Sequence, residues 1–136
     1  MGWLAAALIA LWLYWMTLRP QTAVSADLTP ITVAAESQGL SIPFVIGILG
    51  NIVVFIPWGA AVALALNRRP RGISMGGSIM SGALLSASIE LLQRRVPGRV
   101  SAWDDWMLNT LGVALGAVVV YCMGMWLREK KSLSPP

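Results

Sequence analysis

Apolar residues in this chain fall in long runs and do not form amphipathic stripes. Residues 2–18, 43–66, 73–93 and about 106–127 are nearly free of charge. Three of these runs reach the roughly 20 residues a helix needs to cross the hydrocarbon core of a bilayer. Residues 2–18 fall a little short, which tilt of neighbouring helices or local thinning can accommodate. Lipid offers no partner to an exposed peptide group, so the runs are expected as helices. The pattern predicts an all-α membrane protein, a bundle of about four transmembrane helices forming one domain over residues 1–136. Polar segments punctuate it. Residues 19–42 read as an extracytoplasmic loop, with Pro20 and Pro30 interrupting any long helix. Residues 67–72 form a tight basic turn, and Pro97-Gly98 marks a turn in the third connection. The basic tail, 128–136, is expected to be disordered.

Composition agrees and narrows the class. The chain is 57% apolar and only 12% charged, with a mean hydropathy of +0.70. A soluble domain carries about 25% charged residues. The net charge of +4 is carried by residues beside the spans. They read as topology signals and contacts to anionic membrane lipids, so no nucleic-acid partner is expected. Arg68, Arg69, Arg71, Arg128, Lys130 and Lys131 would share one side of a four-span protein, and Arg19, Arg94, Arg95 and Arg99 the other. This excess places both termini in the cytoplasm of a multi-pass cell-membrane protein. Trp3 and Trp126 would then lie at the inner interface, and Trp15, Trp103 and Trp106 at the outer one. A rival reading of the first run is a signal peptide cleaved near Val24-Ser25-Ala26, although no Lys or Arg precedes it. Cys122 is the sole cysteine and histidine is absent. No intrachain disulfide can form, and the usual zinc and copper ligand sets cannot be assembled. No metal or cofactor is expected.

The informative residues are those a bilayer rejects. Glu90 sits near the end of the third run, with Gln93 and Arg94 one turn further along the same helix face. Asp105 and Asn109 are four apart at the start of the fourth run, and Asn51 lies inside the second. At 1.5 Å per residue these positions fall about 12 Å (Asn51), 6 Å (Asn109) and 5 Å (Glu90) below the outer end. All three therefore gather in the outer half of the membrane, beside Arg99, Asp104 and Asp105. One account is packing: Glu90 pairs with Arg94 or Arg99, the asparagines bond between helices, and an aspartate caps the fourth helix. The other is a water-accessible polar pocket that receives a head group. Trp58, Met75, Met80, Met107, Met123 and Met125 read as lipid-facing or packing residues. Gly112-x-x-x-Gly116 suits close approach of helices, and Gly77-x-x-x-Ser81 is a weaker instance.

Three motifs together resemble VanZ-like membrane proteins. Asn51-Ile-Val-Val-Phe55-Ile-Pro57-Trp-Gly59 is similar to that family's second-span motif. Ser88-Ile-Glu90-Leu-Leu-Gln93 with Pro97-Gly98-Arg99 is similar to its third-span and loop motif. Asp104-Asp105-Trp-Met-Leu-Asn109-Thr110-Leu-Gly112, followed by Gly116, resembles the start of its last span. The resemblance covers about residues 45–120. Trp58 stands where the family more often has Leu, and Ala102 where many members carry an acid. The resemblance implies a four-span protein of a family named after a factor for teicoplanin resistance in Gram-positive bacteria, whose biochemical activity is not settled. Carried over by position, its motif residues are Asn51, Glu90, Gln93, Arg99, Asp104, Asp105 and Asn109.

Three functions fit these residues. The first is a cell-envelope protein whose outer cluster binds a lipid-linked envelope ligand or a lipophilic glycopeptide. Arg99 would hold an anionic group, and Glu90 and the aspartates would hold amines or hydroxyls. The second is a membrane enzyme acting on a lipid-linked substrate, with Glu90 as general acid or base and Asp104 and Asp105 recruiting a divalent cation. The third is a transporter or assembly subunit working as a homo-oligomer.

Overall fold

The computed structural model describes residues 2–20, 42–96 and 103–132, together with positions 22, 23, 25, 26, 29 and 33. Its long helices are α1 (Gly2–Thr17), α2 (Ile42–Ala65), α3 (Arg71–Gln93) and α4 (Trp103–Ser132). No strand occurs among the described residues. The fold is the all-α membrane bundle that the hydropathy pattern predicts. Helices α2, α3 and α4 are long and apolar enough to cross a membrane, whereas α1 is a shorter apolar helix of 16 residues. At 1.5 Å per residue α1 is about 24 Å long, against a hydrocarbon core of about 30 Å.

The helices run alternately up and down. Gly2 lies against Ala65 at the end of α2, while Gln93 Nε2 at the end of α3 donates to the Thr17 carbonyl (2.9 Å). Short as it is, α1 thus reaches from one end of α2 to the far end of α3. Helices α2 and α4 run parallel, since Asn51 meets Asp105 and Ile56 meets Gly116 further along both. Helix α1 packs on α2 and α3, and α4 packs on the same two. Leu13, Phe55, Leu85, Ile89 and Val113 bring residues of all four helices into one buried cluster. Lipid tails are as apolar as leucine, so this cluster gains little from apolar transfer. Close packing has to supply the difference. Helices α2 and α4 touch backbone to backbone: a Cβ on Gly59 would strike the Val113 carbonyl, and one on Gly112 or Gly116 the carbonyl of Ile52 or Ile56. Met80, Met107, Met123 and Met125 are exposed on the lipid-facing surface. Trp58 is half-buried and donates to Ser81 Oγ (3.2 Å).

Two segments differ from the sequence reading. Helix α4 continues through Ser132, so Arg128, Lys130 and Lys131 are helical where a disordered tail was expected. Cations are favoured in a helix's last turn by its dipole, and Lys130 lies 5.2 Å from the centre of the Trp126 ring. Residues 133–136 lie outside the described residues. Within the expected loop 19–42, the described positions Thr22, Ala23, Ser25, Ala26, Thr29 and Val33 are helical and exposed. There Ser25 Oγ donates to the Thr22 carbonyl (3.1 Å) and Thr29 Oγ1 to the Ser25 carbonyl (2.8 Å). Both are bonds back to the preceding turn, a form Ser and Thr hydroxyls take on a helix.

Candidate functional site

Helix α3 carries a column of small and polar residues at steps of four: Ser74, Ser78, Gly82, Ser86 and Glu90. All are buried. A spacing of four keeps residues on one helix face, and α3 turns this face towards its neighbours. Ser74 Oγ donates across to the Ala63 carbonyl of α2 (3.4 Å), and Ser78 Oγ to the Ser74 carbonyl (2.8 Å).

The upper part of the column meets α4 in register. Asn109 Nδ2 donates to Ser86 Oγ (2.9 Å), and the Val113 side chain occupies the space that a Gly82 side chain would need. Each step of four along α3 is thus answered by a step of four in the opposite sense along α4. One turn beyond the Asn109–Ser86 bond, about 6 Å along each helix axis, stand Glu90 on α3 and Asp105 on α4. On α2, Asn51 Nδ2 donates to Asp105 Oδ1 (2.6 Å). One turn beyond Glu90, Gln93 is buried and ties α3 to α1.

Five of the predicted residues therefore lie in a layer towards one end of the bundle: Asn51 bonded to Asp105, Asn109 bonded to Ser86, and Glu90 and Gln93 on the last turns of α3. Asp104 belongs to the same turn as Asp105 but is exposed. Both aspartates lie in the first turn of α4, which begins at Trp103. The expected capping role is therefore replaced by first-turn acids favoured by the dipole, one of them bonded across to α2. Arg99 lies outside the described residues. The expected pairing of Glu90 with Arg94 is absent, since Arg94 points to the surface and no ion pair engages Glu90 among the described residues. Both asparagines do bridge helices, as the packing account expects.

What distinguishes the layer is two buried acceptors without a donor. Glu90 is 8% exposed and its Oε2 has no hydrogen-bond partner; Asn109 is 4% exposed and its Oδ1 has none. Leaving a buried polar atom unpaired costs about 1–3 kcal/mol, and more for a charged group. Such atoms mark places where a proton, water, ion or ligand belongs. Below them Val113 and Leu85, in one cluster with Phe55, fill the interior. No group of three or more acidic or thiol side chains able to hold a metal ion occurs among the described residues.

Sequence reasoning missed several supports of this layer. Ser86 holds Asn109. Tyr14 Oη lies 2.6 Å from Ser88 Oγ, whose hydroxyl donates to the Leu85 carbonyl (2.6 Å). Trp106 Nε1 donates to the Ala83 carbonyl (2.9 Å). The spacing of Ser74, Ser78, Gly82, Ser86 and Glu90 was the available signal, because five small or polar residues at steps of four define one non-lipid face.

No curated protein and no solved structure matches the chain. The family model described as VanZ/LLP1 matches residues 3–126, nearly the whole chain and all four long helices. This membrane bundle, with its polar layer built from the three motif segments, belongs to the VanZ/LLP1 family.

Proposed function

We propose that this VanZ-like protein sits in the cell membrane with both termini in the cytoplasm and binds an envelope ligand in its polar layer. The ligand is the polar head of an envelope lipid or of a lipophilic glycopeptide of the teicoplanin type, and binding it contributes to tolerance of such antibiotics. The observation that carries the reading is the buried Glu90 side chain with an unpartnered oxygen, at the end of the bundle that also holds Asn51, Gln93, Asp105 and Asn109. A carboxylate within a span is costly in lipid, and such residues mark functional sites by default. Packing alone would be served by the asparagine bridges without it. In this reading Asp104 stands at the mouth and Arg99 holds an anionic part of the head group. The basic residues Arg68, Arg69, Arg71, Arg128, Lys130 and Lys131 favour the opposite end as the cytoplasmic one. Helix α1 acts as a fourth span, supported by its contacts with both ends of the bundle.

The test is susceptibility to teicoplanin and vancomycin in a sensitive Gram-positive host expressing wild type or Glu90→Gln, with membrane levels matched by immunoblot. Wild type is expected to raise tolerance to teicoplanin more than to vancomycin, and Glu90→Gln to lose it at equal abundance. If wild type changes nothing, the resistance reading fails. If Glu90→Gln performs as wild type, the site reading fails.

A further inference from the structure

We propose that the enclosed end of this layer is a receptor for a primary ammonium group, accepted by Glu90 Oε2 and Asn109 Oδ1. The inference rests on the head-group reading and adds which chemistry goes inside. Both acceptors belong to side chains more than nine-tenths buried, and neither has a donor. Among the described residues the amide and indole donors of this end bond elsewhere, and none reaches either oxygen. Asn51 Nδ2 donates to Asp105, Asn109 Nδ2 to Ser86, Gln93 Nε2 to the Thr17 carbonyl and Trp106 Nε1 to the Ala83 carbonyl.

Glu90 is an acid within a membrane-spanning helix, where an unpaired charge is costly. What its Oε2 lacks is a donor, and the donor that best serves a carboxylate is one that also carries positive charge. A primary ammonium brings three N–H donors and one charge. A quaternary ammonium brings the charge without the donors, and a phosphate or carboxylate would be repelled. Val113 and Leu85, in the buried apolar cluster, lie on the inner side of the two acceptors.

The ammonium can come from a membrane lipid or from a soluble amine, and two arms of one experiment separate them. In the first, the full chain is reconstituted in nanodiscs containing equal amounts of phosphatidylethanolamine and phosphatidylcholine, and the lipids retained after detergent exchange are counted by mass spectrometry. Wild type is expected to retain the ethanolamine lipid about tenfold over the choline lipid, the order of one charge-assisted hydrogen bond. Glu90→Gln is expected to lose the preference. Glu90→Asp is expected to keep it, and it serves should Glu90→Gln not fold. In the second arm, soluble ethanolamine is added to protein in nanodiscs of phosphatidylcholine alone, and the Glu90 carboxyl band is isolated as the infrared difference from Glu90→Gln. A lipid preference without an infrared response assigns the site to a membrane lipid, and a response admits soluble amines as well.

Equal retention of the two lipids with no response to ethanolamine overturns the inference. So does a Glu90 band that is that of a protonated carboxyl and indifferent to amine, because the missing donor is then a proton. The two readings fail separately. Tolerance that depends on Glu90 without amine preference removes only the ammonium receptor, and amine preference without tolerance removes only the resistance reading.

Discussion

Replacing Gly112 by alanine tests whether the contact of α2 with α4 holds the polar layer together. The new Cβ would overlap the Ile52 carbonyl oxygen and press on the Ile52 carbonyl carbon and Cα. These are backbone atoms of a helix, so no rotamer change relieves the overlap and α2 must move away from α4. Overpacking of this kind costs about 1–3 kcal/mol. Alanine also gains helix propensity over glycine, worth about 1 kcal/mol, which would mask part of the loss. Gly124→Ala on the same helix is the control, because a Cβ there meets nothing within 4 Å. The propensity gain is common to both variants, and their difference isolates the packing term. In reversible unfolding in mixed micelles, followed by circular dichroism, Gly112→Ala is expected to be less stable than Gly124→Ala by about 1–3 kcal/mol. Separation of the helices also draws Asn51 away from Asp105, so function should fall with stability. Equal stability of the two variants would refute the claim that these backbones are in contact.

Three further outcomes follow from single bonds. Asn51→Leu removes the 2.6 Å donor to Asp105 Oδ1 and should cost roughly 0.6–1.7 kcal/mol in the same unfolding assay, the range for interhelical bonds in membranes. Ser86→Ala leaves Asn109 Nδ2 without its acceptor. It should destabilise the bundle by about 1–3 kcal/mol and lower tolerance in the susceptibility assay, whereas Ser132→Ala on the exposed end of α4 should change neither. Tyr14→Phe removes the hydroxyl that joins α1 to Ser88. It should loosen α1 by about 1 kcal/mol, seen as faster hydrogen exchange of α1 amides with α2–α4 unchanged.

Hydropathy alone located the four long helices, since the preference of a residue for lipid is a property of that residue and its neighbours in sequence. Boundaries were less legible. Helix α4 extends past its apolar run because Arg128, Lys130 and Lys131 suit a helical end, and the helical positions between 22 and 33 fall in a polar segment with no apolar run to announce them. The candidate residues Asn51, Glu90, Gln93, Asp104, Asp105 and Asn109 stood out for a related reason: each is out of place in its own solvent. Which partner each one takes is a property of pairs of helices. Glu90 could have met Arg94 within α3, and only the packing of α3 on α4, with Gly82 against Val113 and Ser86 against Asn109, leaves it buried with one oxygen unpaired. Likewise Gly59, Gly112 and Gly116 are ordinary glycines in sequence, and it is the crossing of α2 and α4 that leaves no room for a Cβ at any of them. Solvent preference is therefore readable along the chain, whereas hydrogen-bond satisfaction and backbone contact arise only once the helices have packed.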